Sequence, residues 1–143
     1  MGLEAINFYF HSGEPIRSVV KSNDRFYNIE NNKYAYKNEG EFWIDIEFQD
    51  DYSLSLRIAL CNPLDKTLLA LDNLFSLLFR FKNSTLKDLY TKEIFKTYDQ
   101  KVCQKIKELY ENKKKIFTEI YGGYTAAISS EKFYWLYKKN NHR

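Results

Sequence analysis

The chain has 143 residues, 44% of them hydrophobic and 29% charged. That composition excludes a disordered segment, and the length allows one domain whose core needs no disulfide or metal staple. The net charge of +3 is unevenly spread: residues 1–63 carry ten acids and six bases, net −4, and residues 64–143 carry nine acids and sixteen bases, net +7. Such a split steers partners without deciding the fold.

Residues 3–10 alternate, with Ile6, Phe8 and Phe10 on one side, and predict a strand. Ser12-Gly13-Glu14-Pro15 is a turn, because glycine and proline supply the backbone angles of a reversal. Residues 16–20 are expected as a second short strand. Residues 25–30 and 33–37 flank Asn31-Asn32 and predict a hairpin, since asparagine tolerates positive φ.

Residues 41–48 form the clearest strand. Phe42, Ile44, Ile46 and Phe48 point one way; Trp43, Asp45 and Glu47 point the other. After the turn containing Asp50 and Asp51, residues 53–60 repeat the alternation with Leu54, Leu56, Ile58 and Leu60 inward and Arg57 outward. The two predict an antiparallel hairpin packed on one side, in a register that a one-residue slip would ruin.

Asn62-Pro63 is expected to start a helix, with Asn62 as N-cap and Pro63 at the first helical position. Leu64, Leu68, Leu71, Leu74, Phe75 and Leu78 follow helical spacing, and Leu69, Leu77 and Phe79 widen the stripe, so cover on more than one side is expected. Ser84 and Thr85, with Asp88 in capping-box spacing, predict a shorter helix using Leu86, Leu89 and Tyr90. Residues 100–121 predict a long helix with Ile106, Leu109, Tyr110, Phe117 and Ile120 on one stripe, ended by Gly122-Gly123. Residues 124–128 read as extended. A final helix over residues 130–139, with Ser129 or Ser130 as cap, is favoured over an aromatic strand. The fold class expected is therefore α+β: an N-terminal antiparallel sheet of about four to six strands packed against about three to four C-terminal helices, in a single domain spanning residues 1–143.

Three groups are candidates for chemistry. The first is acidic: Glu39, Glu41, Asp45, Glu47, Asp50 and Asp51, with Trp43 among them and Arg57 on the next strand. An outward tryptophan beside charges has the makeup of an interface anchor, so Trp43, Asp45, Glu47, Asp50, Asp51 and Arg57 are the candidate partner-binding residues. The bland alternatives are a solvated sheet face and a Trp43 covered by the C-terminal segment. A metal would need oxygens converging from several segments, which one strand does not supply. The second is the lysine-rich helix, with Lys101, Lys105, Lys113, Lys114 and Lys115. Clustered cations contact phosphates, and a nucleic-acid-associated protein is the alternative function. Glu108, Glu111 and Glu119 dilute that patch. The third is His11-Ser12-Gly13-Glu14, which matches no catalytic template; His142 stands near the chain end. No enzyme activity, metal or cofactor is expected.

Cys61 and Cys103 lack metal or CxxC spacing and are expected as buried reduced thiols. The N-terminus has an early acid and no basic n-region, and Ile6 stands where myristoylation at Gly2 would need Ser or Thr. The most apolar run, 68–81, is interrupted by Asp72, Asn73 and Arg80. A cytoplasmic protein without membrane association is expected.

A strand-rich start with helices behind it, and an acidic patch at residues 41–48 and Asp50-Asp51, resembles the immunity proteins of bacterial polymorphic toxin and contact-dependent inhibition systems. The resemblance is one of architecture. It implies a protein that binds one toxin domain, often a nuclease, and blocks it. The basic C-terminal half departs from the acidic balance common among inhibitors of nucleases.

Overall fold

The structure, a computed structural model, describes residues 3–141. Gly2 and His142 lie outside the described residues. Among those described, seven antiparallel strands form one sheet: β1 (Ala5–His11), β2 (Phe26–Glu30), β3 (Lys33–Asn38), β4 (Phe42–Phe48), β5 (Ser53–Ala59), β6 (Thr85–Asp88) and β7 (Ile94–Phe95). Their spatial order is β2-β3-β4-β5-β1-β6-β7. Four helices accompany it: α1 (Arg17–Lys21), α2 (Leu64–Leu78), α3 (Gln100–Tyr121) and α4 (Ser130–Asn141). The α+β class is as expected. The strand count exceeds four to six, because β6 and β7 return to the sheet after α2.

The alternation of residues 41–60 sets one face of this sheet. Ile46 stands opposite Leu56, and Leu56 opposite Phe8; Phe48, Leu54 and Phe10 form the next row. All six side chains are buried. α2 lies on this inner face, with Phe75 edge-on to Phe8 at 5.4 Å and Phe79 edge-on to Phe10 at 5.8 Å. Edge-to-face packing suits the ring quadrupoles. α3 flanks α2 on its other side: Asp72 of α2 accepts a 2.6 Å bond from the Tyr98 hydroxyl and faces the Cys103 thiol at 3.5 Å. α2 is thus covered twice, with Leu69 left exposed on its flank. Cys61 is buried and Cys103 half-buried; both are free thiols, and burial pushes the Cys61 thiol up to about 11.

After α3 the chain turns at Gly122, whose φ of +86° favours glycine. It then rounds the end of the sheet. Ala126 donates its N–H to Cys61 O at 2.8 Å, and the Asn62 amide donates to Ile128 O at 3.0 Å. This delivers α4 to the outer face of the sheet, opposite α2. Phe133 anchors it in an aromatic cluster with Phe117 and Tyr121 of α3.

Three local expectations need correction. Residues 16–20 are not a strand: α1 covers Arg17–Lys21, with Ile16 and Val20 buried. Five residues satisfy either period, and Pro15 before them holds a φ compatible with a helical start. Residues 84–90 are not a helix. β6 pairs with β1, Leu86 opposite Phe10, because β1 would otherwise expose its ladder groups at the sheet edge. Asp88 caps nothing helical; its carboxylate accepts from the Tyr90 and Thr91 N–H groups in the turn. Asn62 is not the N-cap of α2. Pro63 takes that position without a side-chain bond, and the Asn62 amide instead accepts from Trp43 N at 2.8 Å while donating to Ala59 O and Ile128 O. One short side chain joins β4, β5 and the approach to α4.

Candidate functional site

The outer face of the sheet is built from the positions that alternate with the core. Its rows follow from the register. One runs Ala35, Asp45, Arg57, Asn7; the next runs Lys33, Glu47, Ser55, Tyr9, Lys87, Ile94. The first row lies under the start of α4. The second lies beyond it.

Under α4, Arg57 has all three ends of its guanidinium engaged. Nε donates to Ser130 Oγ at 3.0 Å, Nη1 to Asn7 Oδ1 at 2.9 Å, and Nη2 to Glu4 Oε2. Glu4 is 0% exposed. Its carboxylate also accepts from the hydroxyls of Ser130 and Tyr134, each at 2.6 Å. Burial alone would raise the Glu4 pKa, but these two hydroxyls and Arg57 outweigh it, and the carboxyl titrates below its ordinary value. Burial and the bond to Glu4 push the Tyr134 phenol up. Asp45 accepts from Trp43 Nε1 at 2.8 Å and from Ser130 N at 3.3 Å. It thus satisfies an N–H that the first turn of α4 leaves free. Here burial prevails: it raises the Asp45 pKa despite Trp43, Ser130 and Arg57, and Glu131 nearby adds to the rise.

Beyond α4 the surface is open. Glu47 is exposed, and Ser55 opposite it is half-buried. In the β4–β5 turn, Asp50 accepts from Tyr52 N at 2.8 Å and from Ser53 Oγ at 2.9 Å, which lowers its pKa. Asp51 faces Arg17 Nε at 3.0 Å, an ion pair off the line of the N–H.

Where the covered and open rows meet lies a groove of about 420 Å³. Its floor is the sheet at Glu47, Ser55 and Arg57. Ile29 and Lys33 of the β2–β3 hairpin stand on one side, Glu131 and Tyr134 of α4 on another, and Leu89 after β6 closes a third. Four residues expected at a partner surface, Trp43, Asp45, Glu47 and Arg57, all line it. Asp50 and Asp51 lie outside it on the turn. The structure adds Glu4, Asn7, Ser130, Glu131 and Tyr134. Only Ser130, as a cap before an aromatic helix, carried a signal in the sequence; its carboxylate partner Glu4 is 126 residues away.

The lysine-rich helix is used differently than expected. Lys113 is buried, with Nζ 3.7 Å from the centre of the Tyr90 ring. Lys114 donates to Leu60 O at 2.6 Å and to Asn62 O at 2.8 Å, and burial lowers its pKa. Lys105 pairs with Glu93 at 3.1 Å. Three of the five candidate lysines hold α3 to its neighbours. His11, Ser12 and Glu14 form no relay either: the Ser12 hydroxyl donates to Lys82 O, and the Glu14 carboxylate accepts from Lys82 N. Gly13 lets these chains approach closely, since a Cβ there would lie 2.9 Å from Asn83 Cβ. Among the described residues, no group of three or more His, Cys, Asp or Glu is placed to hold a metal ion, and no helix is long and apolar enough to cross a membrane. No family model matches this chain, and comparison with curated proteins and with solved structures found none similar to it.

Proposed function

We propose that this chain is a non-catalytic protein-binding module of the immunity type, which neutralises a cognate toxin domain by docking the open part of its acidic sheet surface against it, in the cytoplasm. One observation carries the reading. α4 covers only part of the outer sheet face and leaves a groove beside exposed Glu47, with the Asp50-Asp51 turn at the end of the same hairpin. Exposed Ile29 and Tyr52 add apolar area at these edges. Apolar contacts ringed by charge give both affinity and fast encounter with a basic partner.

The test is co-expression with the C-terminal domain encoded by the neighbouring upstream reading frame, followed by association kinetics. A stable complex is expected. The Glu47→Lys, Asp51→Lys double variant should lower the association rate about tenfold and flatten its dependence on salt. Absence of a complex, or an unchanged rate in the variant, overturns the reading. The nucleic-acid alternative has less to stand on, because Lys113 and Lys114 are engaged within the fold and Lys105 pairs with Glu93 at the surface, which leaves Lys101, Lys107 and Lys115 outside such contacts.

A further inference from the structure

The groove has a charge imbalance that the fold does not correct. Four carboxylates line it, from Glu30, Asp45, Glu47 and Glu131, against two cations, Lys33 and Arg57. Arg57 is already paired with Glu4 behind it. Lys33 stands opposite Glu47 in register, but its Nζ lies 3.8 Å from Glu30. Asp45, Glu47 and Glu131 are thus left without an ion pair among the described residues.

The sides of the same groove also carry apolar and aromatic groups. Ile29 is 53% exposed on the β2–β3 hairpin, and Leu89 is 37% exposed; Trp43 and Tyr134 also face the groove. Nothing in the core requires an isoleucine at position 29. Apolar and aromatic groups beside a net negative lining complement one kind of side chain: a long aliphatic stem ending in a cation. Between the two cations available to proteins, the planar guanidinium fits better. It bonds a carboxylate with two parallel N–H groups and stacks on aromatic faces, and both carboxylates and aromatic rings are present. A cation seated here would also relieve the repulsion of Glu131 on Asp45.

We infer that this groove receives an arginine side chain projecting from the partner, with its stem along the apolar lining beside Ile29 and its guanidinium on Glu47 and Glu131. This rests on the protein-binding reading above and names the chemistry of the partner's anchor. The test uses N-acetyl-L-arginine amide as probe, with the citrulline analogue as its uncharged isostere and the lysine analogue as the competing cation. The readouts are the ¹⁵N resonances of Ser55, Ser130 and the Trp43 indole. Arginine should give saturable shifts confined to these groups at concentrations above about 1 mM, the affinity reasonable for one side chain. Citrulline should bind at least about tenfold more weakly, and the Glu47→Gln, Glu131→Gln double variant should lose the shifts while the rest of its spectrum is unchanged. The inference is overturned if arginine gives no shift, if citrulline or lysine matches it, or if the shifts survive in the double variant. Failure here with a toxin complex still forming removes only the arginine anchor. Binding of arginine without any complex keeps a guanidinium site and removes the toxin-binding reading.

Discussion

Asp45 and Glu47 sit two residues apart on β4, carry the same charge and point to the same face of the sheet. Their situations differ. Asp45 lies beneath α4, holds the Trp43 indole and the Ser130 N–H, and has its pKa raised by burial. Glu47 is exposed. The difference comes from where the last helix begins, not from the strand. A carboxylate under a helix start becomes part of the fold's hydrogen-bonding; two residues further along the strand, the same group stays exposed.

The comparison can be broken hardest at the helix that makes it. Phe133 is 3% exposed and packs on Phe117 and Tyr121. Phe133→Ala should cost about 3–5 kcal/mol in urea unfolding and loosen α4, bringing Asp45 nearer to the exposure of Glu47. An unfolding midpoint within error of the parent would contradict this seating.

A smaller effect is expected at Glu4. Glu4→Gln keeps the volume but leaves Arg57 without its carboxylate, at a cost of about 1–3 kcal/mol near neutral pH. The pH dependence gives the sign. The folded Glu4 pKa lies below its ordinary 4.5, so the stability it contributes is full above 4.5 and is lost as pH falls through the folded value. Asp45 acts oppositely. Its folded pKa lies above 3.8, so its contribution is full below 3.8 and is lost as pH rises through the raised value. Thermal melts across the acid range should show a shallower acid loss in Glu4→Gln and a steeper one in Asp45→Asn. Parallel profiles in all three proteins would show that neither carboxyl is perturbed as described.

The smallest effects sharpen the pair itself. Asp45→Asn leaves one carbonyl oxygen for two donors and should cost about 1 kcal/mol at neutral pH. Glu47→Gln should stay within about 0.5 kcal/mol. Equal costs, measured by denaturant unfolding, would erase the distinction between the covered and open rows.

Much of this was legible in particular residues. The hairpin of β4 and β5, the turn at Asn31-Asn32, the bounds of α3 and the helical end of the chain were expected from periodicity and turn chemistry, and each is present. β6 was not, because Leu86 and Leu89 satisfied a helical spacing while the edge of β1 supplied the competing demand. The site was half legible. Trp43, Asp45, Glu47 and Arg57 could be placed on one face by alternation alone. Nothing local marked Glu4 as the carboxylate Arg57 would find, or Lys113 and Lys114 as interior contacts of a helix that looked solvated.

By itself, the sequence determined the pleat of the sheet and the identity of its two faces, because side chains alternate strictly and turning the acids of β4 into the apolar core would be prohibitive. Only the tertiary structure decided which outward charges belong to the fold. That depends on where the 122–129 segment, held by Asn62 and Cys61, sets down α4. Contacts such as Asn62 to Ile128, made across 66 residues, leave no period in the chain to read.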